Sequence, residues 1–297
     1  MILIVGATGA LGGHVARLLI EKGEKVRVMT RDPRRAAALA ALGADVVRGD
    51  LRDAATLRTA ARGVRAIVSS THALLDKGKD AHHQVDDRGQ RDLMAAAKEA
   101  AVQHFVFISA LGASPNHPVD FWRTKERMER HLAASGLRYT IIRPSAFMGV
   151  HAYDLIGKAV VTGKRVLLFG AGNNLKNFVA EIDVARLVVL ALGDERLHGQ
   201  TIEIGGPENL SSKDVVAVFE TIAARKAKVT HLPLWVVRMM APIARPLHAG
   251  ASRALKATVV GETTDHRFDA APLLARFPMT LTRLEDWARD RMARRDL

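Results

Sequence analysis

Short apolar runs alternate with amphipathic stretches through the first half of the chain. Ile2 to Val5 is a continuous apolar run, the pattern of a strand buried on both faces. From about Leu11 to Lys22 apolar residues return at helical spacing, with Val15, Leu18 and Leu19 on one face. Lys25 to Met29 reads as a second strand. Pro33 opens an Ala-rich helix that ends at Gly43, since proline suits a first helical turn. A third strand over Asp45 to Val47, a helix over Asp53 to Ala61 and a fourth strand over Arg65 to Ser70 follow. The alternation continues with a long helix from Asp86 to Ala101, a strand over His104 to Ser109, a helix over Val119 to Ser135 closed by Gly136, and a sixth strand over Arg138 to Arg143. Such regularity predicts right-handed strand–helix–strand units, hence an α/β fold with a doubly wound parallel sheet.

After Pro144 the alternation loosens. Residues 153–163 read as helix, Val166 to Phe169 as strand, Asp183 to Leu192 as helix and Thr201 to Ile204 as strand. Ser211 opens a further helix as its N-cap, with Asp214 three residues on. Leu232 to Leu247 is apolar, basic and interrupted by prolines. No polar linker divides the chain and no internal repeat is present. Residues 1–150 are expected to form the sheet core. Residues 151–297 are expected to be a mixed region that adds late core elements and a small cap.

Composition narrows the chemistry. The chain has 297 residues, 48% hydrophobic and 25% charged, which excludes a disordered or fibrous protein. Cysteine is absent, so disulfides, thiolate metal sites and cysteine nucleophiles are excluded. No apolar run reaches the ~18 residues a membrane-spanning helix needs. MILIVGATG lacks a basic leader, and its apolar part stops at Gly6, so a cytoplasmic location is expected. Basic residues number 44 against 31 acidic, a net charge of +13. Such a balance favours anionic partners. No compact basic run or nucleic-acid-binding motif accompanies it, so solvated basic faces are the favoured reading and a nucleic-acid partner is not expected.

Gly6-Ala7-Thr8-Gly9-Ala10-Leu11-Gly12 lies directly after the first strand and directly before the first helix. Gly6 permits the turn out of the strand, Gly9 lets backbone approach a pyrophosphate, and Gly12 allows the helix to pack closely on the strand. The helix N-terminus offers unpaired N–H groups to phosphate. Residues 1–150 are therefore the expected dinucleotide-binding core, with Thr8, Ala10 and Leu11 completing the loop. The second strand ends Met29-Thr30-Arg31-Asp32 rather than in a lone acid. Arg31, with Arg34 and Arg35 behind it, matches a ribose 2′-phosphate in charge and fork geometry. Asp32 is read as the cap of the helix that Pro33 begins. NADP(H) is thus favoured over NAD(H). Asp50 and Leu51, after the third strand, are candidates to hold the adenine, with a helix-capping turn as the alternative.

These stretches, GATGALGG, TRDP, GDLRD, VDDRGQRDLMAAAKEA, HFVFISALGA, RPSAFMG, FVAEIDVARLVVLAL and IGGPENLSSKDV, together resemble the atypical short-chain dehydrogenase/reductases, most closely the NmrA-like branch. The resemblance is specific to about Gly206. It implies a Rossmann domain, a small C-terminal substrate-binding part and a bound NAD(P). Ser69, Ser70 and Pro144 join the candidate cofactor contacts. Family members with the usual chemistry use a Ser and a Tyr-x-x-x-Lys. Ser109 matches the Ser, and Lys125 the Lys that also holds the nicotinamide ribose. The tyrosine position is Phe121, in Phe121-Trp122-Arg123-Thr124-Lys125. Phenylalanine has no exchangeable proton, so the usual mechanism cannot run unchanged.

His151 and Tyr153, beyond the sixth strand, are the candidate replacement acids, with pocket-wall roles as their alternative. His117 and Asp120 are weaker candidates, and Tyr139 reads as a core residue. His82-His83 suggests a metal, but no matching carboxylate or third histidine has ligand spacing nearby, so none is expected. The resulting expectation is an NADPH-dependent reductase of a ketone, enone or quinone of apolar or aromatic character. Its alternative is a non-catalytic NAD(P)-binding redox sensor. Residues 232–247 are a candidate lid or a site of peripheral membrane contact.

Overall fold

Hydrophobic burial builds the first strands. In the computed structural model, which describes residues 1–74 and 82–293, β1 (Ile2–Val5) is buried along its whole length. Helix α1 (Ala10–Glu21) follows, then β2 (Val26–Thr30), a 3-10 turn over Pro33–Ala36, and α2 (Ala37–Ala41). Next come β3 (Asp45–Arg48), α3 (Ala54–Ala61), β4 (Ala66–Ser69), α4 (Gly89–Glu99), β5 (His104–Ile108), α5 (Asp120–Ala134) and β6 (Tyr139–Pro144). The later elements are β7 (Ala146–Phe147), α6 (Lys158–Val161), β8 (Arg165–Phe169), β9 (Lys176–Val179), α7 (Glu181–Gly193), β10 (Gln200–Ile204) and β11 (Asn209–Leu210). The chain ends with α8 (Ser212–Ala223), β12 (Lys228–Leu232), α9 (Leu234–Ala244), α10 (Ala249–Thr263), α11 (Ala271–Arg276) and α12 (Leu284–Ala293).

The chain divides into two units. The first contains Met1–Arg143 and Val184–Ile202. Its sheet has the order β10-β6-β5-β4-β1-β2-β3, and the registered pairs from β3 through β6 are all parallel. The order reverses beside β1, so β1 and β4 diverge into opposite halves of the sheet. The crevice this opens beyond their carboxyl ends is where open α/β sheets bind ligands. This is a Rossmann-like α/β fold. Leu3, Val5, Leu93, Phe105, Phe107 and Met128 lie in one apolar cluster of the unit. Burying each such side chain contributes ~1.5–3 kcal/mol, enough to hold the strand ends in fixed positions.

The second unit contains Pro144–Asp183 and Glu203–Leu297. It holds a parallel pair, β8 with β12, a small sheet of β11, β9 and β7, and its own core around Phe178, Val215 and Phe219. Where the sequence pattern suggested a core over 1–150 and a mixed region over 151–297, the units part after Arg143. The late elements returned to the first unit are most of α7 and β10.

Several elements differ from the sequence reading. The helix expected over Asp86–Ala101 begins as a π-helical turn at His83 and is α-helical only from Gly89. The wider turn carries Asp86 and Asp87 inward, where His82, Arg91 and Arg127 hold them. The 153–163 helix likewise starts earlier, as a π-helical turn over Met148–Gly157. Ser211 and Asp214 form a reciprocal capping box on α8. Pro242 lies within α9, and among the described residues no helix is long and apolar enough to cross a membrane.

Candidate active site

The glycine loop joins β1 to α1 in the first unit. Gly6 has φ +101°, and a Cβ there would stand 2.8 Å from the Ser70 hydroxyl. A Cβ on Gly12 would come within 2.4 Å of the Gly6 carbonyl oxygen, so helix and strand meet through bare backbone. Gly9 is different. It is exposed, and a Cβ there would meet only the Gly6 carbonyl oxygen, at 3.4 Å. Gly9 is also the N-cap of α1, with no capping side chain and no acid in the first turn. The helix therefore presents its N–H groups and the positive end of its dipole without an internal anion. Backbone and charge there fit a dinucleotide pyrophosphate. Thr8 is half-buried, Ala10 is exposed and Leu11 is buried in the same turn.

The arginines beyond β2 have separate roles. Asp32 caps the 3-10 turn by accepting from the Arg34 N–H, and its carboxylate takes the Arg34 guanidinium through paired 2.9 Å bonds. That hydrogen bond holds the Asp32 carboxyl below its usual range. Arg31 is exposed and makes no hydrogen bond or ion pair among the described residues. Asp50 accepts from the backbone N–H and guanidinium of Arg52, which lowers its carboxyl below the usual range against partial burial. Its acceptor oxygens thus already have a partner within the chain, while Leu51 is buried beside it.

At the carboxyl ends of β4 and β5 the buried polar groups are interlocked. The Ser69 hydroxyl donates to the Gln90 amide oxygen at 2.8 Å, and the Ser70 hydroxyl donates to the Val5 carbonyl at 3.2 Å. Ser109 is buried and donates to Glu129, which also accepts from Arg143 at 2.6 Å. Lys125 is buried, and its Nζ donates to the carbonyls of Ile108, at 2.9 Å, and Thr71, at 3.4 Å. Burial pushes the Lys125 ammonium below its ordinary range, while the charges of Asp86 and Glu129 oppose that shift. Phe121 is buried between two imidazoles, with ring centroids 5.9 Å from His72 and 6.2 Å from His82.

Sequence reasoning overlooked part of this cluster. His82 Nδ1 lies 2.6 Å from Asp86 Oδ2, and its Nε2 lies 3.2 Å from the Thr124 hydroxyl. Burial opposes ionisation of Asp86, but His82 and the charge of Lys125 hold its carboxyl below the usual range. Asp86 and Asp87 stand four residues after His82 and His83, a helical spacing that corrects the earlier reading of no nearby carboxylate. Among the described residues no group of three or more such side chains is arranged for a metal. Arg123 pairs with Asp120 and donates to the His117 carbonyl, so these two candidates brace the start of α5.

The remaining candidates belong to the second unit. Pro144 is buried at the end of β6. His151 is exposed, its Nδ1 3.3 Å from the Phe147 carbonyl. The Tyr153 ring packs with Phe219 and Trp287, and the Arg291 guanidinium lies 4.2 Å from its centroid.

The chain is similar to several known proteins. The chain is 31% identical to the NAD(P)H azoreductase of Xenophilus azovorans, over 79% of this chain and 78% of that protein. It is 30% identical to the photosystem II assembly factor Ycf39 of Cyanophora paradoxa, over 78% of this chain and 72% of that protein. Among solved structures it resembles the Escherichia coli NADPH-dependent quinone oxidoreductase QOR2 complexed with NADPH, with TM-score 0.80, 23% identity, and coverage of 98% of this chain and 100% of that one. It also resembles the Citrobacter triphenylmethane reductase complexed with NADP(H), with TM-score 0.77, 16% identity, and coverage of 97% and 99%. Residues 1–271 match the NmrA-like family, and the chain belongs to that family.

Proposed function

We propose that the protein is an NADPH-dependent reductase of an apolar or aromatic carbonyl compound, a ketone, enone or quinone. The observation that carries this reading is the uncapped N-terminus of α1 behind exposed Gly9, together with exposed Arg31 beyond β2. Bound NADPH would supply a hydride to the substrate. In this reading Gly6, Thr8, Gly9, Ala10, Leu11 and Gly12 cradle the pyrophosphate, and Arg31 holds the 2′-phosphate. Leu51 packs against the adenine, with Asp50 at its edge. Ser69 and Ser70 line the ribose side. Lys125, fixed by two carbonyls, directs its remaining N–H to the nicotinamide ribose. Ser109 braces the end of β5 through Glu129. Hydride transfer itself needs close positioning more than a protein acid. His151 and Tyr153 are assigned to the packing of the second unit.

The kinship with an azoreductase supports redox chemistry, and kinship with an assembly factor supports a second reading. There the chain binds NAD(P) without turnover and reports it to a partner. Phe121 favours this reading, because it removes the usual phenol. Trp235, Met239, Ile243 and Leu247 on and just beyond α9 are exposed and would form the contact face, to a protein or a membrane surface. A screen of NADPH consumption over quinones, ketones and enones, run beside nucleotide titration, separates the two. Turnover supports the reductase; tight NADPH binding with no turnover supports the regulator.

A further inference from the structure

The second unit carries an apolar helix face turned away from its core. On α9, Val237 and Ala241 are buried, and the Ser252 hydroxyl of α10 donates to the Ala241 carbonyl at 2.6 Å, so the helix is docked along that side. Helical spacing sets Trp235, Met239 and Ile243 on the opposite side. Trp235 is 64% exposed, Ile243 66%, and Leu247, just beyond the helix, 86%. Apolar side chains scattered singly on a surface need no explanation, whereas a continuous stripe of them marks an interaction surface. Arg238 and Arg245 are also exposed, and the helical period puts both on one flank of the stripe. Neither forms an ion pair among the described residues.

The charge around this face is one-sided. Thr221 to Gly261 contains seven Lys and Arg, from Arg225 to Lys256, and no Asp or Glu, although 31 of the 297 residues are acidic. Lys226 pairs with Glu220, just outside that stretch. An apolar stripe in a basic, acid-free setting is the pattern of a helix lying in the plane of an anionic membrane. We propose that α9 lies in the headgroup layer of an anionic lipid bilayer, with Trp235, Met239, Ile243 and Leu247 against the acyl chains and Arg238 and Arg245 at the lipid phosphates. An indole suits that boundary, and an arginine stem can follow apolar surface while its guanidinium stays in water. The other occupants fit less well. A second copy of the chain would set like charges face to face, and a nucleic acid would give the apolar stripe nothing to pack against. The regulator reading uses the same face, but lipid binding does not depend on NADPH turnover, so the two stand or fall separately.

Co-sedimentation of the full chain with vesicles tests this. The native chain is expected to bind vesicles of equal parts phosphatidylcholine and phosphatidylglycerol, and to bind phosphatidylcholine alone ~10-fold or more weakly. Trp235→Ala combined with Ile243→Ala should weaken binding to the anionic vesicles by ~10-fold or more, through lost apolar contact. Arg238→Gln combined with Arg245→Gln should weaken it by ~10-fold or more and reduce its dependence on salt. These side chains face solvent, so both double variants should keep the native melting temperature. Lipid brominated on its acyl chains should quench the fluorescence of the bound chain, and Trp235→Phe should still bind yet lose most of that quenching. Vesicle binding by a chain that turns over no NADPH would support the proposal. Absence of binding to anionic vesicles, equal binding to both vesicle types, native binding by either double variant, or binding without quenching of Trp235 would overturn it. A lipid-free dimer in sedimentation velocity that Ile243→Asp dissolves would also overturn it, by giving the face to a second copy of the chain.

Discussion

Arg31 and Arg34 stand three residues apart with opposite commitments. Arg34 is spent on Asp32, which it holds in a two-bond fork, while Arg31 projects unpaired beyond β2. Arg31→Ala should therefore weaken NADPH binding by roughly 30-fold and leave NADH nearly unchanged, the scale of a charge-assisted hydrogen bond. Arg34→Ala should change either affinity by roughly twofold at most, as expected for an exposed ion pair. Fluorescence titration of both nucleotides measures this, and equal losses for NADPH and NADH in Arg31→Ala would refute the assignment. His104 makes a different residue-scale prediction. It is buried, its Nε2 lies 2.9 Å from the Thr140 hydroxyl, and its ring lies 4.3 Å from His198. Burial, with the charges of His198, Arg138 and Arg65, lowers its pKa from 6.5 to about 4. Above the unfolded value both states are neutral and its contribution to stability is complete. Between 6.5 and about 4 the unfolded chain takes the proton first, so stability is lost as the pH falls, by ~3 kcal/mol in all. Denaturant unfolding of His104→Gln should show a shallower loss across that window than the native chain; parallel curves would disprove the cause.

The strand–loop–helix formed by β1, the glycine loop and α1 separates binding from folding. Gly9→Val should keep the fold, because space lies around its Cβ position, yet abolish dinucleotide binding by filling the approach of the pyrophosphate. Gly12→Ala should fail at the earlier step, since its Cβ collides with Gly6 backbone, and should lower the melting temperature before any binding is measured. A folded Gly9→Val that binds NADPH normally would place the cofactor elsewhere. This element was legible in the sequence because each glycine has a local cause: a turn, an approach, a packing contact. So were the alternating strands and helices, whose hydrophobic period is itself local. The π-helical start at His83 was not, because contacts from residues distant in sequence, Ala73 to Asp86 and Arg127 to Asp87, help hold it. The Arg52 guanidinium from which Asp50 accepts, two residues away, was not read from the sequence, which offered Asp50 only as a nucleotide contact or a helix cap.

At the scale of the molecule, the net charge of +13 and the single guanidinium of Arg31 act over different ranges. NADPH and NADH are both anions, so the summed field draws both toward the protein. That attraction weakens as the Debye length shrinks from ~30 Å at 0.01 M salt to ~8 Å at 0.15 M. Arg31, which would touch the 2′-phosphate directly, is screened far less than charges that act through solvent. Raising the ionic strength should therefore weaken both nucleotides, by roughly tenfold between dilute and physiological salt, while largely preserving the ratio between them. Arg31→Ala should do the converse, retaining most of the salt dependence and losing the preference for NADPH. Titrations of native chain and variant at two salt concentrations supply all four numbers. Affinities that ignore salt would mean that the basic residues are scattered too evenly to focus a field. A preference for NADPH that vanishes with salt in the native chain would mean that the discrimination comes from the general field and not from Arg31.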